Sequence, residues 1–329
     1  MPPRVLDTSD FPIALSDWIA AIPADRGSVG WQAAAACLLE SAVPKPGNVH
    51  PQASFPDLTH HDFVKAALAI AKPFNAWLAC PAHDQGPQLG QAILHAVRAS
   101  AAATQSNANL GMVLAIAPLA ASAMPLEAHL PAVLAARTKA DAAAIWEAIA
   151  LAQPGGLGRV DQHDLAGPPP DDILEAMRCA ADRDAIARLW TENYIPLFAA
   201  EGCSHDGTAM GKGMVPLLEQ AISAGLGLAA AIQLAFLQHL ASHLDSLIVR
   251  RHGREVAQLV SREAGDLVSL PAGDRPTALA SFDAMLRAGR WSDGCLRPIN
   301  PGTTADLVAT ALFVLLRQGW TLPPSDLMN

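Results

Sequence analysis

Aromatic residues are scarce in this 329-residue chain: they fill 5% of positions, and there is a single tyrosine. β-Branched runs are few as well, so the two residue classes that favour strands are both thin, which argues against a sandwich or barrel. Charged residues make up only 16% against 51% apolar, a balance that excludes an intrinsically disordered chain. Basic residues are in deficit, with Lys+Arg 22 against Asp+Glu 31 and a formal charge of −9. Whole-chain electrostatic attraction to nucleic acid or to an anionic membrane is therefore not expected, and an anionic substrate needs a local basic site or a metal ion.

Cysteine is equally sparse. Cys37, Cys80, Cys179, Cys203 and Cys295 lie far apart with no CxxC pair, so a zinc site of that kind is absent and a reducing compartment is expected. Residues 1–26 carry Asp7, Asp10 and Asp17 and no long apolar core, which does not read as a signal peptide; the expected location is the cytoplasm. Residues 110–124 are almost wholly apolar but contain Pro118 and fall short of the roughly 20 residues that a membrane span needs. They read as a buried core helix, and no membrane partner is expected.

What the chain has is alanine, leucine and helical periodicity. Phe63, Ala66, Ala67 and Ile70 recur at helical spacing within residues 62–78, with Thr59 as the N-cap. Similar patterns cover residues 31–40, 89–103, 110–124, 126–136, 140–152, 171–198, 211–224, 226–249, 255–264, 275–288 and 304–318. Pro196 is expected to bend or end the 171–198 pattern. The expected fold class is all-α, a single large multi-helix domain over residues 30–320, with an N-terminal extension at 1–29 and a C-terminal tail at 321–329. The high apolar content also suggests a helix face buried in a homo-oligomer.

Polar residues concentrate at loops and helix ends, where they matter because unpaired polar groups are costly in a helical core. Lys45 lies between Pro44 and Pro46, just before Gly47 and Asn48. A stiff loop with a fixed ammonium and a glycine suits a phosphate contact; a Pro-rich connector with a solvated lysine is the plainer alternative. Asn107 and Asn109 precede the most apolar helix, where either can cap it and its first-turn N–H groups can meet an anion. Residues 154–158, running on to Asp161, His163 and Asp164, have the composition of a phosphate cradle without the Lys-Ser/Thr of a P-loop. Asp182, Arg183 and Asp184 read as alternating charges on a helix face, solvated or partly buried.

Asp245 and the run Arg250-Arg251-His252-Gly253 mark another helix end, just downstream of His239 and His243, which sit one turn apart. Two histidines at i and i+4 can share a metal, but no glutamate lies between them in the zinc-protease manner. Thr303, ahead of Asp306, reads as an N-cap with a first-turn acid.

Taken in order, these stretches resemble the triphosphoribosyl-dephospho-CoA synthase family along nearly the whole chain. The resemblance rests on Glu40 and Lys45-Pro46-Gly47-Asn48-Val49-His50, on Asn109-Leu110-Gly111, on residues 154–158, and on Asp182-Arg183-Asp184. It continues through Asp245 with Arg251-His252-Gly253 and through Asn300-Pro301-Gly302-Thr303-Thr304-Ala305-Asp306-Leu307. Asn48-Val49-His50 and Ser246 depart from the lyase-associated branch and look like a second branch, found in archaea and in bacteria that use methanopterin-type C1 carriers.

The resemblance implies an all-helical enzyme in which ATP loses adenine and its triphosphoribosyl group joins the 2′-hydroxyl of dephospho-CoA. A related ribosyl or phosphoribosyl transfer to a C1-carrier precursor is the alternative. Breaking the ribose–adenine bond builds positive charge at the anomeric carbon, so a carboxylate is needed, along with cations for the triphosphate. Glu40, Asp182 and Asp245 are the carboxylate candidates, as general base or as ligands of the Mg²⁺ expected with ATP. Lys45, Arg183 and Arg251 are assigned to phosphate, and Asn48, Asn109 and Asp306 to positioning ligand groups. An enzyme predicts that Lys45, Asp182, Asp245 and Asp306 meet in one pocket; a structural interaction protein scatters them. A helical binding or assembly factor would take up nucleotide without releasing adenine.

Overall fold

Local periodicity carries through to the fold, with fifteen helices among the described residues and one sheet of two short strands. The computed structural model describes residues 4–11, 27–79, 88–104, 106–152, 165, 167–200, 211–271, 273–289 and 297–322. In chain order the first helices are α1 (Val29–Ala42), α2 (His60–Leu78), α3 (Leu89–Thr104), α4 (Leu110–Ala121), α5 (Leu126–Ala135), α6 (Lys139–Ala152), α7 (Ile173–Ala180) and α8 (Ala185–Thr191). They are followed by α9 (Ile195–Phe198), α10 (Met214–Ser223), α11 (Leu228–Ser242), α12 (Ser246–His252), α13 (Arg254–Ser269), α14 (Arg275–Ala288) and α15 (Gly302–Arg317). Strand β1 (Arg4–Val5) pairs in parallel with β2 (Trp320–Thr321), placing the buried Leu6 against the core.

Two helices are apolar on nearly every side and so must lie inside. In α15 thirteen residues are buried, and it packs on α1, α4, α10 and α11. In α4 every residue from Met112 to Ala120 is buried. A row of α1, α2, α3 and α6 covers one side of this axis, and α10, α11 and α13 cover the other. Among the described residues no single helix is long and apolar enough to cross a membrane, and α4 and α5 meet at 104°.

Thr59 caps α2 as expected, in a reciprocal box with Asp62. Elsewhere the long patterns break. Residues 171–198 form α7, α8 and α9, and the breaks fall at 181–184 and 192–194, before Pro196, which sits in the first turn of α9. Asn193 and Tyr194 take left-handed φ values of 50° and 63°. That turn is held from α4. Pro118 has no N–H to give to the Leu114 carbonyl one turn back, and the Trp190 indole donates to it instead at 3.0 Å. The Tyr194 hydroxyl donates to the Ala115 carbonyl at 2.8 Å. A tertiary contact thus satisfies the proline's orphaned acceptor and docks α8 on α4. Residues 226–249 break in the same way, at His243–Asp245, into α11 and α12.

Candidate active site

The Pro46-Gly47 turn is shaped by what lies over it. Gly47 has φ +78°, and a Cβ there would meet the Ile299 carbonyl at 2.7 Å and Pro301 at 2.8 Å. Its N–H donates to Asp283 at 2.8 Å, and Asn48 donates from Nδ2 to Asn300 Oδ1 at 2.6 Å. The loop after α1 is thereby fastened to the start of α15, some 250 residues away. The 45–50 and 300–307 stretches meet through these contacts.

They frame a cleft of about 300 Å³, at the lower end of ordinary small-molecule sites. Glu40, Asn48, Asn109, Arg183, Arg251 and Asp306 all line it. Apolar side chains such as Phe63, Met112, Trp146 and Ile149 form the rest of its wall. The carboxyls of Glu40 and Asp306, with that of Asp184, therefore share a cleft whose wall is in large part apolar. Burial pushes Glu40 up, and the Lys45 ammonium pulls it back. Asp306 is pushed well above the ordinary carboxylate range, first by burial and then by the charges of Glu40, Asp245 and Asp184, with Arg250 opposing. Its carboxylate lies directly over Gly111, where a Cβ would come within 2.1 Å of Oδ2, so any side chain at 111 would displace it. A carboxyl kept neutral in such a setting can give a proton to a departing group.

The asparagines divide their roles. Asn107 Oδ1 accepts from the Leu110 N–H at 3.3 Å and so serves the helix start. Asn109 is left for the cleft: its Oδ1 accepts from Ser100 at 2.7 Å, while its buried Nδ2 has no partner among the described residues. Asn48 Oδ1 is likewise buried without a donor among them. Native structures leave few such atoms unpaired, so two beside one cleft point to ligand groups.

Three residues are placed differently from the roles expected of them. Lys45 does not line the cleft. Its side chain is fully buried, and its three donors go to Glu40 Oε1 at 2.8 Å, to the Val43 carbonyl at 3.0 Å and to the Glu40 carbonyl. It is the counter-ion of Glu40, set behind the cleft.

Asp245 is not free to bind metal or take a proton. Oδ1 accepts from Leu247 and Ile248 N–H at 2.9 and 3.1 Å, and Oδ2 from the Thr304 N–H and hydroxyl at 2.7 and 2.8 Å. Burial pushes this carboxyl up and those bonds pull it down.

Asp182 is exposed and does not line the cleft. The metal set Glu40, Asp182 and Asp245 is therefore not assembled. No group of three or more His, Cys, Asp or Glu placed to hold a metal occurs among the described residues.

The Asp182-Arg183-Asp184 run is a turn, not a helix face. Asp184 caps α8 by accepting from Ile186 and Ala187 N–H at 2.9 and 3.1 Å, and it pairs with Arg250. Asp184 and Arg250 line the cleft, although neither is assigned a site role from the sequence. An Asp just before an apolar run is an N-cap signature that could have found the first. Thr303 lies inside α15, whose cap position is Pro301, so the expected local capping box is replaced by Asp245 acting from 59 residues away. Residues 154–158 with Asp161, His163 and Asp164 lie outside the described residues, as do Cys80, Cys203 and Cys295.

Residues 26–323 match the family described as ATP:dephospho-CoA triphosphoribosyl transferase. The chain belongs to that family. It is also 32% identical over 143 residues to a protein of Albidiferax ferrireducens named, provisionally, 2-(5''-triphosphoribosyl)-3'-dephosphocoenzyme-A synthase. That stretch is 43% of this chain and 44% of the relative, so the chain spans less than half of the relative's length. In three dimensions it resembles a protein of Archaeoglobus fulgidus whose crystal structure carries the provisional name triphosphoribosyl-dephospho-CoA synthase. The TM-score is 0.51 with 19% identity, over 78% of this chain and 99% of that one. At that identity the likeness concerns the fold alone.

Proposed function

We propose that this chain transfers the triphosphoribosyl group of ATP to the 2′-hydroxyl of dephospho-CoA and releases adenine. The observation that carries the reading is the convergence of the family's most specific stretches on one cleft, with Glu40 and Asp306 facing the same space. In the reaction the bond from the anomeric carbon to adenine N9 breaks and a bond from that carbon to the acceptor oxygen forms. Adenine leaves with the electron pair and gains a proton; the hydroxyl loses one.

Asp306, with its raised proton affinity, suits donation to the leaving base. Glu40, pushed up by burial and held in contact with the Lys45 ammonium at 2.8 Å, suits stabilisation of the cationic sugar or capture of the hydroxyl proton. Arg183 and Arg251 are the cations at the cleft edge for the triphosphate. Asn109 Nδ2 and Asn48 Oδ1 offer the unpaired donor and acceptor. Mg²⁺ is read as part of the substrate, since this ion is commonly held by one or two carboxylates together with substrate phosphates.

The test is incubation of the protein with ATP, Mg²⁺ and dephospho-CoA, with chromatography for adenine and mass spectrometry for the adduct. The expected result is adenine and adduct in equal amounts, each requiring both substrates. Adenine at the level of the protein-free control would reject the reading and leave a nucleotide-binding factor.

A further inference from the structure

Glycine inside a helix destabilises it, because the unfolded chain is freer there and no side chain is buried. α4 nevertheless has Gly111 as its second residue, amid leucine, methionine, valine and alanine. Backbone conformation does not require it, since φ at Gly111 is outside the left-handed region. Space does. The three atoms nearest to a Cβ at 111 all belong to Asp306: Oδ2 at 2.1 Å, Cγ at 2.6 Å and Oδ1 at 3.1 Å. Ordinary contact begins at 3.4 Å, so even a methyl group would drive Oδ2 back by about 1.3 Å.

Gly227 is the contrasting case. A Cβ there would also meet a carboxyl, that of Asp10 at 2.5 Å, but Asp10 accepts from the Ala229 and Ala230 amides at 3.1 and 2.9 Å and caps α11. The Asp306 carboxyl has no hydrogen bond and no ion pair among the described residues, so packing alone fixes where it lies. Around it stand Cys37 and Glu40 of α1, Asp184 ahead of α8, Asp245 ahead of α12 and Arg250 within α12. Three of these are acids that disfavour its anion, and Arg250 is engaged with Asp184. The open direction is the cleft, which Gly111 and Asp306 both line.

We infer that Gly111 is a positioning residue for the transfer: by lacking a side chain it lets the Asp306 carboxyl lie against the first turn of α4, where it meets the departing adenine. The inference rests on the proposed reading of Asp306 as proton donor. It adds that the donor's place is set from a second helix, by α4 as well as by its own α15.

Steady-state adenine release by the full chain with ATP, Mg²⁺ and dephospho-CoA, followed across pH, tests it. Gly111→Ala is expected to lower kcat about 100-fold, the scale of a misplacement of about 1 Å, and to leave KM for ATP within about threefold. The alkaline limb of its kcat profile should also move to lower pH. Asp306 acts in its protonated form, and a carboxyl pushed out of its buried place loses part of the burial that raises its pKa. A loss due only to a damaged fold would leave that limb in place. Gly111→Ala added to Asp306→Ala, which removes the carboxyl that the methyl group meets, should cost less than about threefold more.

Unchanged kcat in Gly111→Ala, a lowered kcat with an unmoved limb, or the full loss repeated on top of Asp306→Ala overturns the inference. If Gly111→Ala loses its helical circular dichroism, the double variant decides: recovery of the native spectrum upholds the contact, and failure to recover overturns it. Asp306→Ala at the unmodified rate rejects the donor reading and the inference together. Gly111→Ala at the unmodified rate beside a slow Asp306→Ala rejects the inference alone.

Discussion

Asp245 and Thr304 are joined by two hydrogen bonds through a single carboxylate oxygen, at 2.7 Å to the amide and 2.8 Å to the hydroxyl. The other oxygen caps α12. One buried side chain thus starts two helices, and those helices carry Arg250, Arg251 and Asp306 to the cleft. Asp245 acts on the site by building it.

Asp245→Asn keeps the cap on α12 but turns an amide N–H toward the two donors of Thr304. A cost of about 2 kcal/mol is expected for the buried groups left unpaired, or about 3 °C in melting temperature for a chain of this length. Differential scanning calorimetry checks this. An unchanged melting temperature with lost activity would return Asp245 to a chemical role.

Lys45→Met strands Glu40 as a buried, uncompensated acid and should cost about 3–5 kcal/mol, less whatever proton uptake by Glu40 recovers. The double variant Lys45→Met with Glu40→Gln removes both charges and should regain most of that stability. Urea unfolding of the two single variants and the double variant gives the coupling. Additive losses would show that the 2.8 Å pair is not the structural unit described here.

Asp306→Asn should lower adenine release at least about 100-fold, the usual scale for loss of a proton donor, and yet stabilise the fold at neutral pH. The carboxyl's native pKa is raised. Between the unfolded carboxylate pKa and that higher native value the folded chain holds more protons than the unfolded one. Stability from this group is therefore full at low pH and falls as pH rises through the window. Melting curves from pH 4 to 8 should show a flatter profile for the variant. A steeper one contradicts the assignment.

Asn109→Ala removes an unpaired buried donor but also the acceptor of the Ser100 hydroxyl, so stability should fall by about 1 kcal/mol while ATP binding weakens about tenfold. Ser100→Ala is the control: it removes the hydroxyl that orients Asn109 at 2.7 Å and should show a smaller loss in the same assay. Equal ATP affinity in Asn109→Ala and the unmodified chain would remove Asn109 from the site.

The all-helical class, the buried apolar α4 and the Thr59 cap were legible in the sequence because each depends on residues within a turn or two of one another. Six of the residues named from the sequence, Glu40, Asn48, Asn109, Arg183, Arg251 and Asp306, line the cleft, but of the four expected to meet in one pocket Asp306 lines it and Lys45, Asp182 and Asp245 do not. The use made of each charged group was not legible. Lys45 turns inward because Glu40 and two carbonyls lie within its reach, and Asp184 rather than Asp182 faces the cleft because the chain breaks there to start α8. Helix breaks at 192–194 and 243–245 have partners tens of residues away, such as the Trp190 indole on the Leu114 carbonyl and Asp245 on Thr304. Periodicity records which residues share a helix face. Which oxygen finds which donor across the core is settled only when distant helices pack, because a buried polar group takes its role from whatever packing brings within hydrogen-bond distance.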